Sequence, residues 1–448
     1  MAATTTLMTE GSVWKKMVAF AIPLFIGQLF QQLYNTADSL IVGNFVSSDA
    51  LAAVASSGNI IFLLTGFFGG VSAGAGVVIA NYIGACDKPL TEKAVHTFIS
   101  LSLLAGVFLT LLGMFFAPVV LGWVGTPDEI MPLSVRYFRI YFAGAIGFVM
   151  YNTFLGILQA AGDSKHPLYY LIISSVTNVV LDLVFIAGFG LGVGAAALAT
   201  AISQFLSAIL CMCRLLRINE DYRFNPRKLC LDRTMIRRII RYGIPSGMQN
   251  SIIGFANTIV QSYINYFGAA AMAGNGVHAK IEEFAFLPIS CFSLATATFI
   301  GQNIGAKRPD RVKKGSLFGV ACPVIMATLI GLVMYAFAPS LIRLFDSNAE
   351  TVRFGVARMR TCTLFYAFLA FSHAIAAVFR GHGRANVPMF VMLACWCVIR
   401  VSILTVAGIN NRTIETVNWV YPITWMCSTA TFIFYYFVFF RKHMGEAA

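Results

Sequence analysis

Apolar stretches long enough to cross a bilayer recur twelve times along the 448 residues, at about 17–42, 51–81, 95–119, 133–158, 167–189, 192–213, 239–266, 276–303, 316–338, 355–379, 387–408 and 416–440. About 20 apolar residues span the hydrocarbon core as a helix. Lipid offers no partner to a backbone N–H or C=O, so a chain built of such stretches is restricted to a bundle of spanning helices. Composition agrees: 58% of residues are hydrophobic and 11% charged, against about 25% charged in an average soluble domain. The expectation is an all-α, multi-pass membrane protein. The polar start Met1 to Lys16 leads into a stretch too long for the apolar core of a signal peptide, so the first span is expected to be retained.

Lys and Arg then set the orientation. Lys15, Lys16, Lys88, Lys93, Lys165, nine residues from Arg214 to Arg241, five from Lys307 to Lys314, Arg380, Arg384, Arg441 and Lys442 fall at the N-terminus, the C-terminus and every second loop. The positive-inside rule makes that side cytoplasmic, with both termini on it, and the plasma (inner) membrane is the expected location. The net charge of +13 is mostly this topology signal; basic residues dispersed over short loops without a recognition motif do not indicate nucleic-acid binding.

The spans form an internal repeat. Ile22-Pro23 is echoed by Ile244-Pro245, Ala50-Leu-Ala52 by Ala271-Met-Ala273, Asn81-Tyr-Ile-Gly84-Ala85 by Gln302-Asn-Ile-Gly305-Ala306, Gly162 by Gly383 and Pro167 by Pro388. The offset is 221 or 222 throughout. Six spans per repeat give two halves of the same orientation, related by an axis along the membrane normal. The expected division is a six-helix lobe over 1–213, a basic linker over 214–238 and a second lobe over 239–448.

Asp182 sits inside the fifth span, where a charged side chain costs about 2.5 to 3.5 kcal/mol on insertion scales and therefore marks a site facing protein or water. Asn178 and Ser174 precede it at four-residue steps, one polar stripe on an oily helix. In the first span, Asn35 and Asp38 form an i, i+3 pair near Tyr34, and Pro23 predicts a kink. Tyr137 and Asn152 are polar groups of the fourth span, and Gly192-Val-Gly-Ala-Ala-Ala-Leu-Ala-Thr200 opens the sixth. The glycines from Gly69 to Gly76 predict close helix packing, since no strand context or phosphate loop accompanies them. No catalytic constellation and no cysteine or histidine cluster with metal-ligand spacing is present, so an enzyme is not expected.

The turn at 162–167, the Asn178 to Asp182 stripe, the run at 192–200, the polar first helix ending at Asp38 and the two six-span halves together resemble the multidrug and toxic compound extrusion (MATE) family, over about 13–440. The resemblance implies two six-helix bundles around a central cavity, and antiport of organic, cationic or amphipathic compounds by alternating access, driven by H+ or Na+ and needing no other cofactor. It implies a cation site at Asp38, Asn178, Asp182 and Thr200, the only place for a metal ion, with Tyr34, Asn35, Tyr137 and Asn152 in the cavity.

The second half departs from one branch of that family. Its seventh span lacks a glutamate and offers Gln249, Asn250, Asn257, Gln261 and Asn265. Charges enter instead as Lys280, Glu282 and Glu283 in the eighth span, Arg358 and Arg360 in the tenth and Arg400 in the eleventh. Lys280 with Glu283, or Arg400 with either glutamate, are expected to form structural ion pairs; Asn257, Gln261, Glu282 and Glu283 are cavity candidates. A flippase of lipid-linked sugars or other anionic lipids in the same wider superfamily is the alternative. The expected partners are a small-molecule substrate and membrane lipids, bound by a monomer.

Overall fold

The computed structural model describes residues 7–46, 48–410 and 413–440, without the side chains of 37–40, 42–45, 48–52, 55, 56, 59, 407–410 and 440. Every element among the described residues is helical: α1 Val13–Phe45, α2 Ser48–Gly84, α3 Lys88–Trp123, α4 Met131–Ala143, α5 Ala145–Ala160, α6 Lys165–Asp182, α7 Val193–Arg217, α8 Arg233–Asn265, α9 Ala269–Gly305, α10 Pro309–Ala336, α11 Ala338–Arg343, α12 Ala349–Thr363, α13 Tyr366–Gly381, α14 Asn386–Met392, α15 Arg400–Asn410 and α16 Ile414–Tyr435. Wide π turns follow α6 at Leu183–Gly188, join α14 to α15 at Leu393–Ile399 and close the described chain at Tyr436–Phe440.

Nine of these helical segments are long and apolar enough to cross a membrane alone among the described residues, and two bent pairs bring the number to 11. The pairs are α4 with α5, bent by 44°, and α12 with α13, bent by 55°. They are the fourth span of each repeat, so the bend is itself repeated. The expected twelfth span is α8, whose 33 residues are ample in length. Its Gln249, Asn250, Ser251, Asn257, Thr258, Gln261, Ser262 and Asn265 make it too polar to qualify by apolarity.

Two compact units emerge. Ile22–Gly243 make the first, and Met8–Ala21 with the chain from Ile244 onward make the second. Helices α1 and α8 therefore both change unit immediately before Ile22-Pro23 and Ile244-Pro245, at equivalent positions of the repeat.

In the first unit, Ile79, Phe98, Phe154, Ile157 and Leu215 fill a core shared by α2, α3, α5 and α7. The segment after α7 is fixed to it by ion pairs from Lys88 to Asp221 (3.4 Å), Lys93 to Asp232 (3.8 Å) and Lys228 to Glu92 (2.6 Å). Small residues permit the close approach expected of them. A Cβ on Gly74 would lie 2.4 Å from the Tyr242 carbonyl oxygen, so only glycine lets α2 meet that backbone.

In the second unit, the N-terminal segment is strapped down by Arg311. Its guanidinium donates to the Met8 (2.8 Å), Gly11 (2.6 Å) and Glu10 (3.3 Å) carbonyls and to Asn303 Oδ1 (2.9 Å). Met8 N donates to Gln302 Oε1 at 2.8 Å.

Candidate functional site

Helix α6 of the first unit is turned inside out relative to a soluble helix. Ser174, Asn178 and Asp182 are buried one turn apart, Asn178 1% exposed and Asp182 0%, while Ile173, Val176 and Val180 are exposed. Polar side chains facing protein and apolar ones facing outward is the pattern a spanning helix requires. Neither polar atom of the buried Asn178 amide has a hydrogen-bond partner among the described residues, and an unsatisfied buried amide costs about 1 to 3 kcal/mol. The π turn at Leu183–Gly188 begins directly after Asp182; such turns insert one residue and occur often at functional sites.

Val179 and Ile186, one turn before and one after Asp182, pack in a cluster with Ile41 of α1, Tyr137 of α4 and Val193, Ala195, Ala196 and Ala197 of α7. Gly192 has φ 68°, a left-handed conformation that glycine adopts without strain, and it turns the chain into α7. Gly194 then lets α7 approach α4: a Cβ there would lie 2.9 Å from the Ile140 side chain. Thr200, half-buried, is carried on the same helix.

The structure brings Tyr137 into this cluster, stacked 6.3 Å from Tyr141. Asn152 is placed elsewhere, between α5 and α2: its Nδ2 donates to the Phe148 carbonyl at 2.9 Å and its own carbonyl accepts from Ser72. Tyr34 is half-buried and Asn35 exposed on α1. Asp38 belongs to α1 by backbone, but its side chain lies outside the described residues. A buried carboxylate is stable when it is protonated, paired or bound to a cation. The oxygens of Asp182, Asn178 and Thr200 are of the type that serves either ion.

The second unit carries a different constellation. Arg400 is 1% exposed and Arg358 5%, and both lie against Tyr421, with guanidinium carbons 4.4 and 4.5 Å from the ring centroid. Arg400 also lies over Trp396 at 5.6 Å. It donates to Asn257 Oδ1 at 3.1 Å and Thr424 Oγ1 at 2.9 Å, while Arg358 Nε donates to His278 Nδ1 at 3.2 Å. Glu282, half-buried, faces the cluster with Tyr366 beside it.

The expected ion pair of Arg400 with a glutamate is not formed. Among the described residues no carboxylate lies within 4.0 Å of Arg400 or Arg358. The guanidinium of Arg400 is held instead by the Tyr421 ring, Asn257 and Thr424. Lys280 and Glu283 are exposed. Gln261 donates to Asn265 at 2.9 Å and accepts from Asn275 at 2.6 Å, an amide chain linking α8 to α9.

His278, Tyr366, Tyr421 and Thr424 went unnoticed in the sequence. His278 is one helical turn before Glu282, a spacing that could have flagged it. Nothing in the sequence marks Tyr421 as the common platform for arginines 63 and 21 residues before it, since Arg358, Arg400 and Tyr421 meet only through tertiary packing.

The MatE family model matches residues 23–184 and again 245–406, two equal segments 222 residues apart. The chain belongs to the MATE family. Family members are transporters, so this is a multi-pass MATE transporter built on two repeats. It is 29% identical to the "Probable multidrug resistance protein YoeA" of Bacillus subtilis over 88% of this chain and 86% of that protein. It is 24% identical to the "Probable multidrug resistance protein NorM" of Thermotoga maritima over 85% and 83%. A solved structure described as the outward-facing conformation of a multidrug resistance MATE family transporter covers 100% of this chain and 99% of its own, with TM-score 0.90 and 24% identity, a likeness of fold.

Proposed function

We propose that this MATE transporter exports organic compounds across the plasma membrane by alternating access, drawing on an H+ or Na+ gradient through an ion site in the first unit. The observation that carries the reading is the wholly buried Asp182 one turn from a buried Asn178 amide whose polar atoms have no partner among the described residues. Thr200 supplies a further oxygen, and Asp38 of α1 completes the set that the family resemblance implies. The multidrug resistance proteins to which the chain is similar support drug-like cargo, and cationic or amphipathic compounds suit an acidic ion site whose charge is exchanged for theirs. The Lys and Arg distribution supports an orientation with both termini in the cytoplasm.

The coupling ion is H+ in this account, because protonating Asp182 needs no complete coordination shell. Export from proteoliposomes under a pH gradient without Na+, and then under a Na+ gradient at equal pH, tests it. Activity in the first condition is expected. Activity only in the second replaces H+ by Na+, and activity in neither removes the antiport reading.

A further inference from the structure

Arg358 and Arg400 are two buried positive charges with one carboxylate nearby, and their bonding is incomplete. Arg358 Nη1 and Arg400 Nε are buried without a hydrogen-bond partner among the described residues. Contact with Tyr421 and Trp396 offsets part of the desolvation of the guanidinium groups. Two guanidinium groups stand against one carboxylate, Glu282, so the cluster carries an excess of positive charge. Because each guanidinium carbon lies within 4.5 Å of the same ring centroid, the two are no more than about 9 Å apart, the span of one small organic group.

The cluster is reached from the surface of the second unit. Asn257, which holds Arg400 Nη1, is exposed, and so are Asn250, Thr258, Lys280 and Glu283 on α8 and α9. Polar side chains exposed on spanning helices face an aqueous path rather than lipid. Asn257 thus separates the buried Arg400 from water.

We propose that Arg358 and Arg400 form a monoanion subsite that binds the carboxylate of an organic cargo molecule, entering where Asn257 now bonds Arg400. A carboxylate offers acceptors to a cluster that retains unpartnered donors and balances part of its excess positive charge. Cargo with a carboxylate would be held by the second unit, through groups wholly separate from Asp182 and Asn178. The transporter reading enters only in naming the ligand as cargo; binding without any gradient tests the subsite by itself.

The probes are 2-naphthoate and its neutral isostere 2-naphthamide, titrated calorimetrically into the full chain in phosphatidylcholine nanodiscs, with empty nanodiscs as blank. The intact protein is expected to bind naphthoate at least 10-fold more tightly than the amide. Arg400→Gln and Arg358→Gln should each bring that ratio to within 2-fold of one, whereas Arg360→Gln, exposed on α12 and lying over Tyr335, should leave it unchanged. The proposal is overturned if the intact protein shows no preference, if both buried-arginine variants keep it, or if Arg360→Gln lowers it equally. If the arginine variants fail to fold, the preference of the intact protein still decides, with Asn257→Ala expected to shift naphthoate affinity but not amide affinity. Binding is read without a gradient, so its failure and a failure of transport are separate results.

Discussion

Asn178 of the first unit and Arg400 of the second occupy the same register of equivalent helices, 222 residues apart, and both are almost completely buried. The buried face runs Ser174, Asn178, Asp182 in one and Trp396, Arg400, Leu404 in the other. At the offset of 221 that relates Pro167 to Pro388, Asp182 would instead match Ile403, which is only half-buried. The π turn at Leu393–Ile399 lies between Pro388 and Arg400 and inserts the extra residue. One fold thus buries an amide and a carboxylate in one copy and a guanidinium in the other. Repetition of the backbone did not carry repetition of the charge, and the ion coupling proposed above draws on the first unit alone.

The strongest way to break this contrast is to move the charge across it. Asn178→Arg would set a guanidinium one turn from Asp182 and neutralise it permanently, so gradient-driven export should fall about 100-fold or more, the upper range of coupling effects. Retained export in purified, folded protein would show that Asp182 does not need to exchange its ion. The reverse change, Arg400→Asn, removes two hydrogen bonds and the contact with Tyr421. It should destabilise the second unit by about 2 to 4 kcal/mol, read as a lowered melting temperature, while the ion dependence of transport persists.

Two smaller effects test the frame that holds the sites. Gly74→Ala forces a Cβ against the Tyr242 carbonyl and should cost about 1 to 3 kcal/mol by overpacking, visible as reduced thermal stability. Arg311→Ala releases the strap on Met8, Glu10 and Gly11 and should cost about 1 kcal/mol, its partly exposed bonds being individually weak. Limited proteolysis near residues 8–12 should become faster; unchanged cleavage would mean that buried Met8 and Met17 hold the segment without Arg311.

Much of this was readable from the residues. Spans, repeat and the buried stripe follow from apolar length, a constant offset and four-residue spacing, because a membrane leaves few alternatives for such patterns. The glycines of α2 declared close packing, which Gly74 shows against Tyr242. Three features escaped. The π turn that shifts the register by one residue has no compositional mark. The placement of the N-terminal segment and the start of α1 in the second unit depends on tertiary packing of Met8 against Gln302 and Arg311, about 300 residues away in sequence. Arg400 was visible, but its partners were misjudged: opposite charge suggested a glutamate, whereas an aromatic ring and two neutral oxygens were already placed around it.

The most direct test of ion coupling through Asp182 compares two activities of Asp182→Asn in the same proteoliposomes. The substitution keeps size and hydrogen-bonding capacity but removes the ionisable group. Exchange of labelled for unlabelled substrate at equilibrium needs only alternating access and should continue, while accumulation against a concentration difference, driven by a pH gradient or a Na+ gradient, should vanish. Accumulation equal to that of the unsubstituted protein would contradict the account.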